Sequence, residues 1–425
     1  MKKLKLLLCL TIFSFTISVK AQYLETQPNG ELWYDTDGNV IDAHARSYIQ
    51  VGDTFYMFGE KREGPSDNQF RAFHCYSSTD LSNWTFRNTV LTAADIGIQT
   101  VGTRVDVLFN EQSQQYVMYF KSKNNERKYG LATCSTVDGD YDFKGRFYPT
   151  SGDFGDGTLW KEPDGTAYLV YSCLMPTGST GNNIRHLRID RLSSDYLTVE
   201  SNIWDRPADE TNNLTKREAP IIFNKDGRYY IITSRTSGWR SNQATYIHAT
   251  SLAGPWTEQQ NIGDALTYDS QGSSMLTITG TEGTSYFYSG DRWNGNNLQD
   301  SRYMFLPIQF DANGVDIFMD YYDTFFIDTT KGLWSTNVLS VNKISQTRDN
   351  FKLYPNPSSS VVHISGFSQD SHTIDILDLQ GRNYNSIKVS NQKEIKLPVN
   401  NLPAGIYFIK IQGSKIHKTL KFIRK

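Results

Sequence analysis

One local pattern occurs five times in this chain: a polar or glycine-containing turn, then a short aromatic strand. The copies are Gly52-Asp-Thr-Phe-Tyr-Met-Phe58, Gln115-Tyr-Val-Met-Tyr-Phe120, Gly165-Thr-Ala-Tyr-Leu-Val-Tyr171, Gly227-Arg-Tyr-Tyr-Ile-Ile-Thr233 and Gly283-Thr-Ser-Tyr-Phe-Tyr-Ser289. Their marker residues, Tyr56, Tyr116, Tyr168, Tyr230 and Tyr286, lie 60, 52, 62 and 56 residues apart. A short apolar run such as Arg46–Val51, Val105–Phe109 or Ala219–Asn224 precedes each marker strand. The first four markers are followed by a further strand that is polar or carries Trp, as in Ser78-Thr-Asp-Leu-Ser-Asn-Trp84 and Ser251-Leu-Ala-Gly-Pro-Trp256. Three or four strands per repeat, with no amphipathic helix between repeats, call for a radial array of small antiparallel sheets. The expected fold is all-β: a five-bladed β-propeller over residues 22–334. Two β-sandwich domains are the competing arrangement, but they would give closer strand spacing and no fivefold echo.

The pattern ends after Asp328. Residues 335–350 are polar and without periodicity, which predicts a linker. Short alternating strands then resume at Val361–Ile364, Thr373–Asp378, Ile395–Val399, Ile406–Ile411 and Leu420–Ile423, as expected for a small C-terminal β-sandwich over residues 351–425.

Charge divides along the same lines. Residues 351–425 hold 11 Lys+Arg against 4 Asp+Glu, residues 1–21 hold four Lys and no acid, and residues 22–350 hold 28 basic and 41 acidic side chains. So acidic a body lacks the Lys/Arg footprint that nucleic acid requires. Residues 1–21 read as a signal peptide: Lys2, Lys3 and Lys5, an apolar run from Leu4 to Val19, and an end at Ala21. The alternative, an N-terminal anchor, suits the run less well because Thr and Ser interrupt it. No membrane span is expected in the mature chain. Cys75, Cys134 and Cys173 remain after Cys9 leaves with the signal; an odd number at spacings of 59 and 39 matches no metal motif. Buried free thiols are expected, with one disulfide at most.

In a propeller the ligand pocket lies on the axis, so reacting groups come from the first strands of different blades. Four segments qualify: Asp42-Ala-His44-Ala-Arg46 with Gly59-Glu60, Asp153-Phe-Gly-Asp156-Gly-Thr-Leu-Trp160, Arg217-Glu218-Ala-Pro220, and Tyr268-Asp-Ser-Gln271 with Asp291-Arg-Trp293. A carboxylate entering a buried apolar strand, as Glu218 does before Ile221–Phe223, has its protonated form favoured by desolvation and suits a general acid. Acids placed one per blade suit glycoside hydrolysis, in which one carboxyl protonates the leaving oxygen and a second group handles water. Glu218 reads alternatively as a surface acid at a strand start, and Asp156 as a turn aspartate. Trp239 and Trp293 read either as sugar-stacking platforms or as core.

These segments, with Thr236-Ser-Gly-Trp239, Gly254-Pro-Trp256, Gly290-Asp-Arg-Trp-Asn294 and Asp300-Ser-Arg-Tyr303 in the same order, resemble glycoside hydrolase family 43 and within it the exo-β-1,3-galactanase-like branch. The resemblance implies a five-bladed propeller that cleaves by inversion, with Glu218 as general acid and Asp156 as the residue that orients it and tunes its pKa. It places Gln271 as a water-positioning base, because the usual blade-one aspartate is missing from His44-Ala-Arg46-Ser-Tyr; Asp42 or Glu60 is available to assist. His44, Glu60, Arg104, Trp239, Tyr268, Arg292, Trp293 and Arg302 are the implied sugar contacts. One departure stands out: Thr103-Arg-Val-Asp-Val107 carries Thr103 where the branch has glutamate, with Asp106 three residues on. No cofactor is expected. Some relatives carry Ca²⁺ on the axis, but no dedicated oxygen-rich loop is present here.

The tail resembles the C-terminal sorting domain of type IX secretion through Leu353-Tyr-Pro-Asn-Pro357, Leu377-Asp-Leu-Gln-Gly-Arg382, Leu402-Pro-Ala-Gly-Ile-Tyr-Phe408 and the basic end Lys418–Lys425. That implies the type IX machinery as a partner, passage through the periplasm, and a secreted or cell-surface product. The expected activity is exo-acting removal of galactose, or of arabinose, from plant-type polysaccharide or oligosaccharide side chains. An α-L-arabinofuranosidase of the same fold and a non-catalytic glycan-binding propeller are the other two readings.

Overall fold

The computed structural model describes residues 23–63, 69–97, 101–123, 127–149, 153–176, 183–209, 211–336, 351–367, 371–378, 382–413 and 417–425. The proposed signal peptide, and all of the linker beyond residue 336, lie outside them. Contacts divide the chain into two compact units, with the boundary between residues 338 and 339.

The first unit contains five four-stranded antiparallel sheets, each a meander in chain order. The first is His44–Val51, Thr54–Glu63, Gln69–Ser78 and Thr85–Thr92. The second is Val101–Asn110, Gln115–Lys123, Arg127–Cys134 and Asp142–Phe147, and the third is Asp153–Lys161, Ala167–Pro176, Asn183–Leu192 and Val199–Pro207. Arg217–Lys225, Arg228–Arg235, Ala244–Ala249 and Gln260–Ile262 form the fourth; Gln271–Thr279, Thr284–Arg292, Arg302–Phe310 and Ile317–Met319 form the fifth. All five marker tyrosines fall in second strands.

Burial on both sheet faces explains why those strands read as continuous apolar runs. Side chains alternate between faces, so in Arg228–Arg235 the residues Tyr230 and Ile232 join a cluster with Tyr288 and Leu306 of the fifth sheet, while Ile231 joins Val170 and Ile189 of the third. Every neighbouring pair of sheets shares one such cluster. The fifth and first share theirs as well, through Phe287, Phe305, Met57 and Tyr76. First strands touch first strands in the same cyclic order.

One expectation is corrected. Ser78–Trp84 and Ser251–Trp256 are turns between third and fourth strands. The hydroxyl of Ser78 accepts the Leu81 amide at 2.8 Å and Asp80 Oδ1 those of Ser82 and Asn83 at 2.9 and 2.8 Å, giving the backbone a local alternative to a ladder. Trp84 and Trp256 fold back, donating to the Leu81 and Leu252 carbonyls, both at 3.2 Å. Beyond the five meanders, Leu24–Glu25, Phe326–Asp328 and Leu333–Ser335 form a three-stranded sheet joining the two ends of the unit. Cys75, Cys134 and Cys173 are free thiols, Cys75 and Cys173 buried and Cys134 half-buried.

In the second unit, Lys352–Tyr354, Val361–Ser365 and Glu394–Pro398 form one sheet, and Asn383–Val389, His372–Asp378, Gly405–Gly413 and His417–Arg424 form another. Both contribute to a single core that includes Val362, Ile364, Ile374, Ile376, Leu397, Ile409 and Phe422.

Candidate active site

All five first strands carry a bulge at the same level. Register shifts fall between His44 and Ser47, Thr103 and Asp106, Phe154 and Gly157, Glu218 and Ile221, and Gly272 and Ser274. At three of them the first extra residue, Ala45, Arg104 or Ala219, is left-handed with φ of 46°, 58° and 50°. A bulge re-aims the side chains around it. His44, Arg104, Asp156 and Glu218 all lie within or beside these bulges.

Asp156 is buried, and Lys121 Nζ meets its Oδ1 at 2.9 Å, with Arg104 Nη2 3.9 Å from Oδ2. Burial works against its ionisation, but Lys121 and Arg104 outweigh burial and hold its pKa well below the usual carboxylate range. Glu218 is half-buried. Burial, and then the negative charge on Asp156, push its pKa up to about 7, against the opposing pull of Lys121, Arg185 and Arg104. Two carboxyls whose environments drive their proton affinities apart are equipment for general acid catalysis near neutral pH.

Gln271 joins the acid to the second and fifth sheets. Its Oε1 accepts Arg104 Nη2 at 2.8 Å and Trp293 Nε1 at 3.1 Å; its Nε2 donates to Ser234 Oγ at 2.9 Å and Glu218 Oε1 at 3.3 Å. Guanidinium and indole N–H groups only donate, so these partners fix which way the amide points. Both lone pairs of the carbonyl oxygen and both amide hydrogens are engaged. Arg104 also donates to the Gly272 carbonyl. Gly290 has no room for a side chain, since a Cβ there would lie 2.7 Å from the Gln271 backbone carbonyl oxygen.

A second cluster forms where the first sheet meets the fifth. His44 is buried, its Nδ1 3.4 Å from Asp291 Oδ1 and its Nε2 3.7 Å from Asp42 Oδ1, with its ring 6.2 Å from that of Trp293. Burial opposes its charge, yet Asp291, with Asp42 and Glu60 behind it, raises the imidazole pKa. Asp42 retains some exposure, and burial lifts it to about 6 although His44 pulls it down. Glu60 is fully buried and accepts Arg62 Nη2 at 2.8 Å. Asp106 does not stand in for the glutamate replaced by Thr103. It accepts Thr158 Oγ1 and the Leu159 amide, both at 2.8 Å, and so ties the second sheet to the third.

The remaining expected contacts divide. Trp239 is exposed and meets Trp293 edge to face at 4.8 Å, with Arg62 over its ring at 5.8 Å, so it is not core. The Tyr268 hydroxyl is committed to the Met319 carbonyl at 2.6 Å, Arg292 donates to the Tyr268 carbonyl at 3.0 Å, and Arg302 pairs with Asp300 at 2.8 Å. Lys121, Ser234 and Asp291 were not foreseen. Of these, only Asp291 lies in a segment singled out by motif; the other two sit in second strands, and only their cross-sheet neighbours reveal them.

An aspartate held ionised near a glutamate of raised pKa, with an exposed tryptophan at the edge of the same polar network, suits a glycosidase. Sequence comparison agrees: the model of glycosyl hydrolases family 43 matches residues 39–315, and that of the secretion system C-terminal sorting domain matches residues 352–425. The chain belongs to glycoside hydrolase family 43 and hydrolyses O-glycosyl bonds. No curated protein matches it. Among solved structures, an exo-β-1,3-galactanase from Clostridium thermocellum is 26% identical with a TM-score of 0.66, covering 92% of this chain and 82% of that one. A Glu-to-Gln variant of the exo-β-1,3-galactanase from Phanerochaete chrysosporium, with β-1,3-galactotriose, is 26% identical with a TM-score of 0.65, covering 95% and 99%. A family 43 β-1,3-galactosidase with galactodeoxynojirimycin is 27% identical with a TM-score of 0.59, covering 70% and 99%. Among the described residues no group of three His, Cys, Asp or Glu side chains could hold a metal, and no helix is long and apolar enough to cross a membrane.

Proposed function

We propose that the first unit is a five-bladed propeller acting as an exported, inverting, exo-acting β-1,3-galactanase. In this reading Glu218 is the general acid and Asp156 its tuner, and the opposed proton affinities of the two carboxyls are the observation that carries the proposal. Galactose as the sugar rests on the likeness to galactanase structures. Gln271 positions water and acid; with both carbonyl lone pairs engaged, it is poorly suited to take up a proton itself. Of the two assisting carboxylates, Glu60 is fully buried against Arg62, whereas Asp42 is partly exposed with a pKa near working pH, so Asp42 is the better proton acceptor. Trp239 and Trp293 form the sugar platform, flanked by His44 and Arg104. Glu60, Tyr268, Arg292 and Arg302 support this wall from behind.

The second unit is a small β-sandwich that serves as a type IX sorting domain, with residues 1–21 as signal peptide and export through the periplasm. The test pairs β-1,3-galactan oligosaccharides with aryl galactosides and arabinofuranosides, for wild type and for Glu218→Gln, Gln271→Ala and Asp42→Asn. Galactose release that Glu218→Gln abolishes supports the proposal. Turnover of arabinofuranosides alone reassigns the sugar. Thr103 in place of the branch glutamate favours the binding-only reading, and binding without product from any substrate would establish it.

A further inference from the structure

Beside Arg217, between the third and fourth sheets, lies a small cavity with room for about one water-sized particle. Arg185, Arg206 and Arg217 line it with Gln259, over the apolar side chains of Leu187 and Ile247. Arg217 is 4% exposed; its Nε donates to Thr233 Oγ1 at 3.0 Å and its Nη2 to the carbonyls of Thr233 and Gln243 at 2.5 and 3.4 Å. Its Nη1 has no hydrogen bond among the described residues. Arg185 feels the charges of Asp156 and Glu218, but closer counter-charge is scarce. Among the described residues, one carboxylate comes within ion-pair distance of the three guanidinium groups: Glu258, whose fully exposed side chain is 3.8 Å from Arg206 Nη2.

Burial, and then the positive charge of Arg235, bring the Arg217 pKa down to about 9, as expected where buried cations outnumber nearby anions. Its sequence neighbour Glu218 opposes that shift when ionised, and Arg206 adds to it. We propose that this cavity binds a small monovalent anion of the halide type, held by Arg185, Arg206 and Arg217. Size argues against phosphate and sulfate, and the composition of the walls points the same way. Guanidinium is weakly hydrated, and apolar neighbours favour an anion that sheds water readily. The carboxylate of an acidic sugar is the competing source of negative charge.

The site rests on the cavity and its cations, so binding is read without turnover. Thermal unfolding of the full chain is followed in sodium chloride and in sodium gluconate of equal ionic strength, and crystals are soaked in bromide for anomalous diffraction. The expected results are a saturable rise of about 2 °C specific to chloride and a bromide peak among the three arginines. Both are lost in Arg206→Gln, whose guanidinium is partly exposed and lies outside the proposed catalytic groups. Identical melting curves in the two salts with no bromide peak would overturn the proposal. Protection by glucuronate and not by chloride would equally overturn it, in favour of an acidic-sugar subsite.

Discussion

Asp156 and Glu218 are both carboxyls in one polar network, and what separates them is company. Lys121 and Arg104 hold the first ionised, and that charge helps keep the second protonated. Replacing Glu218 with Gln removes the transferable proton while keeping the shape, so kcat/KM is expected to fall about 10²–10⁴-fold. Wild-type kcat/KM should decline as pH rises through about 7, where Glu218 loses its proton. In Asp156→Asn the negative charge goes, the Glu218 pKa drops, and the alkaline limb moves to lower pH; an unmoved limb would show that Asp156 does not tune the acid. Stability follows with opposite signs. The raised pKa of Glu218 contributes stability that is fully present below its ordinary value and lost as pH rises through about 7. The depressed pKa of Asp156 contributes stability that is present above its ordinary value and lost on acidification. Melting curves of Glu218→Gln against wild type should therefore diverge in the variant's favour as pH rises from 4.5 to about 7, the window the two Glu218 values bracket.

Bulges carry these side chains, and two of the left-handed bulge residues are alanines. Glycine would adopt that conformation freely, but a β-branched side chain would not. Ala219→Val, with φ 50° at a buried position next to Glu218, should cost about 1–3 kcal/mol in thermal or denaturant unfolding. Ala219→Gly should stay close to wild type. A second device precedes Gln271: Thr267, Tyr268 and Asp269 are consecutively left-handed, with φ of 54°, 55° and 59°. Asp264, Asn242, Arg292 and Ser270 all bond to this turn, which keeps the approach to Gln271 fixed.

The five second strands were legible in the sequence because burial on both faces writes an aromatic run that no surface strand needs. Trp84 and Trp256 misled for the complementary reason: a tryptophan suggests a strand, while the serine and aspartate that set the turn around Trp84 give a weaker signal. The same limit hid Lys121, whose part depends on a neighbour from another sheet, and Leu24–Glu25, too short to show any period. The candidate site was readable only as separate motifs. Gln271 shows the difference, since its four partners come from Arg104, Glu218, Ser234 and Trp293, which are far apart in the chain.

At the scale of the whole chain, each unit closes its own core. A chain ending at residue 338 is therefore expected to keep the melting temperature and the glycosidase activity of the first unit, and loss of either in the truncated protein would contradict that independence. Deleting residues up to Thr26 should do the reverse and lower the melting temperature. It removes the partner of Phe326–Asp328 and the Thr26 amide bond to the Phe325 carbonyl at 2.8 Å.

That pairing of an early strand with a late one also sets a timetable. Leu24–Glu25 is among the earliest segments to be synthesised, and its partner arrives some three hundred residues later. The seam between the first and fifth sheets also waits for late residues, since the apolar face of Met57 is covered only when Phe287 and Phe305 have been made. A unit that finishes folding only when its last strands are made stays pliant for most of its own synthesis, which is the condition in which a protein bound for export is most easily threaded across a membrane.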